Sequence, residues 1–212
     1  HLRRFKIVTI RKTVHDLLKS YGYEPTLLLH PFYNPEPIVG SEKSGAVSIS
    51  RIDYDKHIEI ILEANKTLEH PIKIYGRTNA RYIFHKLQKS DFESYYNGSF
   101  PKTFSAVQDI LKDKKFVVDM STIKNDGGGT QYTFLEAIAA DCALILNRGW
   151  LVEGGDFKEG YNCLAVSNGE ELAKLLSSEI DISEIKKNAR PLLERHTVNA
   201  WKELASELTT HT

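Results

Sequence analysis

Cysteine is nearly absent from this sequence: Cys142 and Cys163 are the only two. Neither stands in a Cys-x-x-Cys pair or at metal-ligand spacing from a histidine, and each lies in an apolar run, CALIL or CLAV. A thiol in such a run behaves as a small buried hydrophobe. A disulfide framework is excluded on these grounds, and a reducing, cytoplasmic compartment suits the chain. Excess charge is also lacking. Lys+Arg and Asp+Glu stand at 28 each, so nothing in the bulk balance argues for nucleic acid, and any cation that matters must act locally. No apolar run approaches the ~20 residues of a membrane span, and there is no secretory leader pattern. Repeats and low-complexity tracts are missing too.

What is present is an ordinary globular composition, with 41% hydrophobic and 26% charged residues among 212, enough to bury a sizeable core. The chain opens on His1 rather than Met and enters an apolar run at once. This reads as a piece of a longer protein, with a processed chain or a tag remnant as the alternatives. FKIVTI reads as a strand, RKTVHDLLKSYG as a helix and TLLLH as a strand. The Pro- and Gly-punctuated stretch from Pro31 to Ser44 is the main boundary. Beyond it, strands AVSIS, PIKIYG, FESYYNG, KFVVDM, CALIL and NCLAV alternate with amphipathic helices. The C-terminal remainder is helical and is broken at Pro191. Apolar strands alternating with helices predict an α/β fold, a doubly wound, Rossmann-like parallel sheet covered on both faces.

Chemistry concentrates at two places. In SRIDYDK, Arg51 and Lys56 stand where the strand AVSIS hands over to a helix beginning near Lys56. The carboxyl end of a strand followed by a helix start is where open α/β sheets bind ligands. Two long cations there can converge on a diphosphate, although a pair of surface charges is the bland account. In NDGGGTQYTFLEA, three glycines precede a helix. Glycine lets the backbone approach a ligand closely, and the unpaired N–H groups of a helix start suit phosphate. A loop with no ligand is the competing account. Glu136 lies within an apolar stretch of that helix and needs donors if buried. Sugar hydroxyls would supply them, and so would a structural ion pair.

Together these residues resemble a known family. SRIDYDKHIEIILEA, the glycine loop and FLEAIAADCALILNRGWLVEGG look like the nucleotide-sugar half of a retaining GT-B glycosyltransferase of the large group called family four. The likeness covers roughly Gly45 to Ser177 and more weakly the helices to Leu208. It implies three segments. Residues 1–40 would be a remnant of, or linker from, a preceding acceptor domain, 41–180 the nucleotide-sugar domain, and 181–212 helices packing on it. The resemblance assigns Arg51 and Lys56 to the donor diphosphate as the catalytic cations and Glu136 to the ribose hydroxyls. Backbone groups of Gly128, Gly129, Gln131, Tyr132 and Thr133 would face phosphate, and the turn Asn97 to Phe100, with Ser99 and Phe100, the base. Glu153 falls at the acidic position of the second small loop.

One departure stands out. The family's first glutamate, which faces the transferred sugar, corresponds here to Gly128, and Asp126 is the nearest carboxylate to stand in for it. The resemblance implies hexose transfer from a UDP- or GDP-sugar to an acceptor hydroxyl with retention. No cofactor and no metal are implied, because the cations hold the leaving group and no DxD-type cluster is placed to bind an ion. The acceptor (glycan, lipid or protein) is left open, as is a membrane surface met through the missing domain. A sugar-nucleotide epimerase and a non-catalytic nucleotide-binding or interaction domain are the rival readings. A dehydrogenase is disfavoured because no G-x-G-x-x-G follows the first strand. His15, His57 and His85 read as surface residues. Trp150 and Trp201 read as packing anchors, with sugar contact the alternative for Trp150, which lies in the loop opposite the glycines.

Overall fold

The computed structural model describes residues 5–32, 42–122 and 130–209. Two parallel sheets are present among them. The small one pairs β1 (Val8–Thr9) with β2 (Thr26–Leu27) around the helix α1 (Lys12–Ser20). The runs FKIVTI and TLLLH thus yield two paired residues each.

The main sheet has five parallel strands: β3 (Ser44–Ile49), β4 (Lys73–Tyr75), β5 (Lys114–Asp119), β6 (Ala143–Asn147) and β7 (Leu164–Val166), in the order β4-β3-β5-β6-β7. Side chains alternate between its faces, as the two-residue period of a strand requires. Val47, Ile49, Val117, Leu144 and Leu146 enter one core, with α5 (Phe104–Leu111), α6 (Tyr132–Ala139) and α9 (Pro191–Arg195). Ala46, Phe116, Val118, Ala143 and Ile145 enter the other, with α2 (Ile58–Asn65) and α7 (Gly169–Leu176). The doubly wound arrangement expected from the sequence is the one observed.

The predicted strand FESYYNG is instead a short helix. After α3 (Ala80–Tyr82) and a π-helical turn (Ile83–Leu87), α4 spans Phe92–Tyr95. The aromatic content that reads as a strand is used to bury Phe92 and to stack it on Tyr96, 5.0 Å between ring centroids. Tyr96 makes only an isolated bridge to Ile74, so the sheet has five strands rather than six. Pro191 does break the C-terminal helix: α8 (Ser183–Ala189) ends just before it, and the proline opens α9, where its missing N–H costs nothing. The chain closes with α10 (Asn199–Thr209). Trp201 there donates its indole N–H to the Leu29 carbonyl at 2.8 Å. Cys142 and Cys163 are free and buried, and burial pushes both thiols up to about 12. No described helix is long and apolar enough to cross a membrane.

The connectivity fixes where a ligand site forms. From β3 the chain moves outward to β4, then returns past β3 to lay down β5 on its other side. The loops leaving β3 and β5 therefore diverge and open a crevice at the carboxyl edge of the sheet.

Candidate functional site

That crevice is a cleft of ≈ 1160 Å³. Its walls include Arg51 and Lys56 after β3, Ser99 and Phe100 before α5, and Gln131, Tyr132, Thr133 and Glu136 on α6. Eight of the residues singled out from sequence are thus brought to one cavity. Gly128, Gly129 and Asp126 lie outside the described residues. Glu153 is exposed and does not line the cleft. It lies in a tight turn closed by the bond from Gly155 N–H to the Val152 carbonyl (3.0 Å). Trp150 is the residue of that region which reaches the cleft wall, 4% exposed and edge-on to Phe134 at 5.5 Å.

The segment after β3 does not enter the helix at Lys56. Asp53 accepts a bond from Tyr54 N–H and caps a 3-10 turn over Tyr54–Lys56. His57 then takes a left-handed conformation (φ 45°, ψ 49°) before α2 begins at Ile58. This detour turns Lys56 inward. The side chain is 8% exposed, with Nζ donating to Ser121 Oγ at 2.7 Å and Gln131 Oε1 at 2.8 Å, and lying 3.7 Å from Asp119 Oδ2. Ser121 in turn donates through its hydroxyl and its backbone N–H to Asp119 Oδ1. Lys56 thereby links three elements: the β3 loop, the end of β5 and the start of α6. Arg51 behaves differently. Its side chain is 66% exposed and forks onto Asp53 (3.4 Å) and Asp55 (3.2 Å) at the cleft mouth.

The loop after β4 is held tightly against this segment. Ile52 N–H donates to the Arg77 carbonyl (2.9 Å) and Asn79 N–H to the Ile52 carbonyl (3.0 Å). Gly76 has φ 148°, and a Cβ there would sit 1.6 Å from the Ser50 carbonyl oxygen, so only glycine allows this approach. Gly76 also joins the turn at Ser99: its N–H donates to Gly98 O at 3.0 Å, and its carbonyl accepts from Tyr96 OH at 2.8 Å.

On the opposite wall, Gln131 is the N-cap of α6 but makes no capping bond with its side chain, which is engaged with Lys56 instead. Phe134 N–H already donates to the Gln131 carbonyl at 3.1 Å, and the N–H groups of Tyr132 and Thr133 are left for another acceptor. Glu136, one turn further, has no partner for its carboxyl among the described residues, and burial alone raises its pKa from 4.5 to about 7. The ion pair considered for it from sequence is not found there.

Several lining residues escaped the sequence reading. Arg77 and Lys102 line the cleft and have no ion-pair partner among the described residues. Asp119 and Ser121 support Lys56 from below, and no motif marks them. His57, read as a surface residue, lines the cleft and bonds to Glu59 and Thr122. Among the described residues no cluster of three or more His, Cys, Asp or Glu is placed to hold a metal ion.

No protein-family model matches the sequence, and no curated protein is similar enough in sequence to count as a relative. Solved structures do match by shape. S. aureus TarM, in complex with fondaparinux, alpha-GlcNAc-glycerol and UDP, superposes with a TM-score of 0.69 at 18% identity, over 96% of this chain and 43% of TarM. Anabaena HepE, in complex with UDP and glucose, gives a TM-score of 0.70 at 15% identity, over 100% of this chain and 65% of HepE. The C-terminal domain of a glycosyl transferase group 1 family protein, LpcC of Francisella tularensis, gives a TM-score of 0.53 at 17% identity, over 75% of this chain and 93% of that domain. The fold is that of a GT-B glycosyltransferase C-terminal domain. The chain spans less than two thirds of the length of TarM and of HepE.

Proposed function

We propose that this chain is the donor-binding half of a retaining glycosyltransferase, which moves a hexose from a nucleoside diphosphate sugar to an acceptor hydroxyl. The observation that carries the reading is the meeting, in one cleft at the sheet's switch point, of Arg51 and Lys56 with the open start of α6 and the unpartnered Glu136. UDP is the favoured donor nucleotide, because structures of the same fold were solved with it; GDP is the alternative.

In this reading the diphosphate lies between Lys56 and the first turn of α6, whose N–H groups and positive dipole end accept it. Arg51 exchanges its aspartates for phosphate oxygens. Glu136 takes hydrogen bonds from ribose hydroxyls, and Ser99 and Phe100 meet the base. The hard step is departure of the diphosphate from the anomeric carbon. Cations already fixed against it stabilise the charge that grows in the transition state. They fill the role a metal would play, so the proposed reaction is metal-independent, and no cofactor takes part. The acceptor's proton passes to the departing phosphate.

Acceptor binding is assigned to a preceding domain, with residues 1–40 at its border, 41–180 as the donor domain and 181–212 as helices packed on it. In support, α1 buries none of its residues and leaves Val14, Leu17 and the adjoining Tyr21 exposed. The second reading, a nucleotide-binding domain without catalysis, is favoured by one observation: Gly128 in place of a carboxylate facing the sugar. Release of free UDP from UDP-hexoses, measured with the full-length protein, separates the two. Turnover supports the transferase, and tight UDP binding without turnover supports the alternative.

A further inference from the structure

His57 is one of two non-glycine residues with positive φ among those described. Such a conformation persists only where its surroundings dictate it, and it gathers at functional sites. Here both ring nitrogens are engaged. Nδ1 lies 3.0 Å from Glu59 Oε1, and Nε2 lies 2.8 Å from Thr122 Oγ1. The other oxygen of Glu59 accepts from the hydroxyl of buried Tyr82, which itself accepts from Ile58 N–H at 2.9 Å. Burial pushes the Glu59 carboxyl up, but the bonds from Tyr82 and His57 outweigh it and hold the group below its ordinary value. An ionised carboxylate only accepts, so Nδ1 carries a proton, and in the neutral imidazole Nε2 then accepts from the Thr122 hydroxyl. Thr122 is tied a second time, its N–H donating to the Asp55 carbonyl at 3.2 Å.

We propose that His57, in its Nδ1–H form, is a positioning residue: it ties the segment carrying Arg51 and Lys56 to Thr122 at the end of β5, and affinity for a diphosphate depends on that tie. This rests on reading the cleft as a nucleoside diphosphate site. His57 acts through Lys56, whose other supports, Asp119 and Ser121, lie on the same stretch as Thr122. Without the ring bond, the cation and its supports are joined only by backbone and by Lys56 itself.

The test uses UDP as probe, with binding read by calorimetry and folding by thermal melting. His57→Gly keeps the left-handed backbone and removes the ring, and Thr122→Val keeps the shape and removes the hydroxyl. Each is expected to weaken UDP binding about tenfold, the value of one well-made hydrogen bond, while remaining folded. His57→Gln, whose amide reaches the Nε2 position, is expected to bind better than His57→Gly despite its less favourable backbone. Glycine binding as well as wild type would reduce His57 to a backbone role and overturn the proposal. Nitrogen NMR of the imidazole is expected to show a protonated Nδ1 and a bare Nε2; the reverse tautomer also overturns it. If wild type binds no UDP, the nucleotide reading fails, and the tautomer still decides whether the Glu59–His57–Thr122 tie exists.

Discussion

Across the cleft, the segment from Arg51 to His57 and the first turns of α6 treat charge in opposite ways. On the first wall each cation has a partner, Arg51 with Asp53 and Asp55 and Lys56 with Asp119, and the His57 ring is hydrogen-bonded to Glu59. On the second, Glu136 holds its half-buried carboxyl with no partner among the described residues. A ligand arriving at the first wall meets cations already held in place and exchanges one set of bonds for another. At the second wall it supplies donors that the free protein lacks. In the proposed reading the cationic wall is set in place before the nucleotide binds, and the carboxylate wall is completed by it.

The largest effect expected from breaking this contrast is on folding. Lys56→Met leaves Asp119 buried with no cation near it, and removal of one partner of a buried pair costs about 3–5 kcal/mol. Denaturant titration should show a loss of that size, together with loss of UDP binding. A loss under about 1 kcal/mol would mean that Lys56 does not hold the three elements together.

Glu136→Gln should separate binding from stability. UDP affinity is expected to fall by about 1.5–3 kcal/mol, the range for hydrogen bonds to a charged group. Stability should move the other way. Below pH 4.5 the carboxyl is protonated in both folded and unfolded chains, so it contributes no difference. Between 4.5 and about 7 the unfolded chain ionises while the folded one resists, so wild type loses stability as pH rises through this window. Glutamine is spared that loss. Above pH 7 the variant should be the more stable by about 1–2 kcal/mol, a figure reduced for partial solvent access. Melting curves at pH 4.5 and pH 8 check the sign. Arg51→Ala should do least. Its pairs are exposed, so stability should change by under about 1 kcal/mol. Its UDP affinity should fall by about 1 kcal/mol, and more at low salt, where exposed charges are less screened.

How much of this was legible in the sequence follows from what each element depends on. The central strands β3, β5 and β6 are continuous apolar runs because both faces of a parallel sheet are covered, and such runs read directly. FESYYNG misled because aromatic residues satisfy a strand's preferences as well as a short helix's need to bury Phe92, and nothing local decides between them. Arg51, Lys56 and Glu136 were legible because their positions at loop and helix starts follow from the order of elements. The environment of Lys56 was not, since Asp119 and Ser121 meet it only after β5 is laid beside β3. His57 was missed for a related reason. Its left-handed backbone lies in a tight turn, and Thr122, which holds its ring, comes from a different strand end.

The account's central claim is that the cleft takes a nucleoside diphosphate, with the diphosphate as the part that is gripped. Calorimetric titration of the wild-type protein with UDP and with uridine tests it most directly. UDP should bind at least about a hundredfold more tightly than uridine, as expected if the two phosphates engage charged partners worth about 1.5–3 kcal/mol each. Equal affinity for the two, or no heat from UDP, would contradict it.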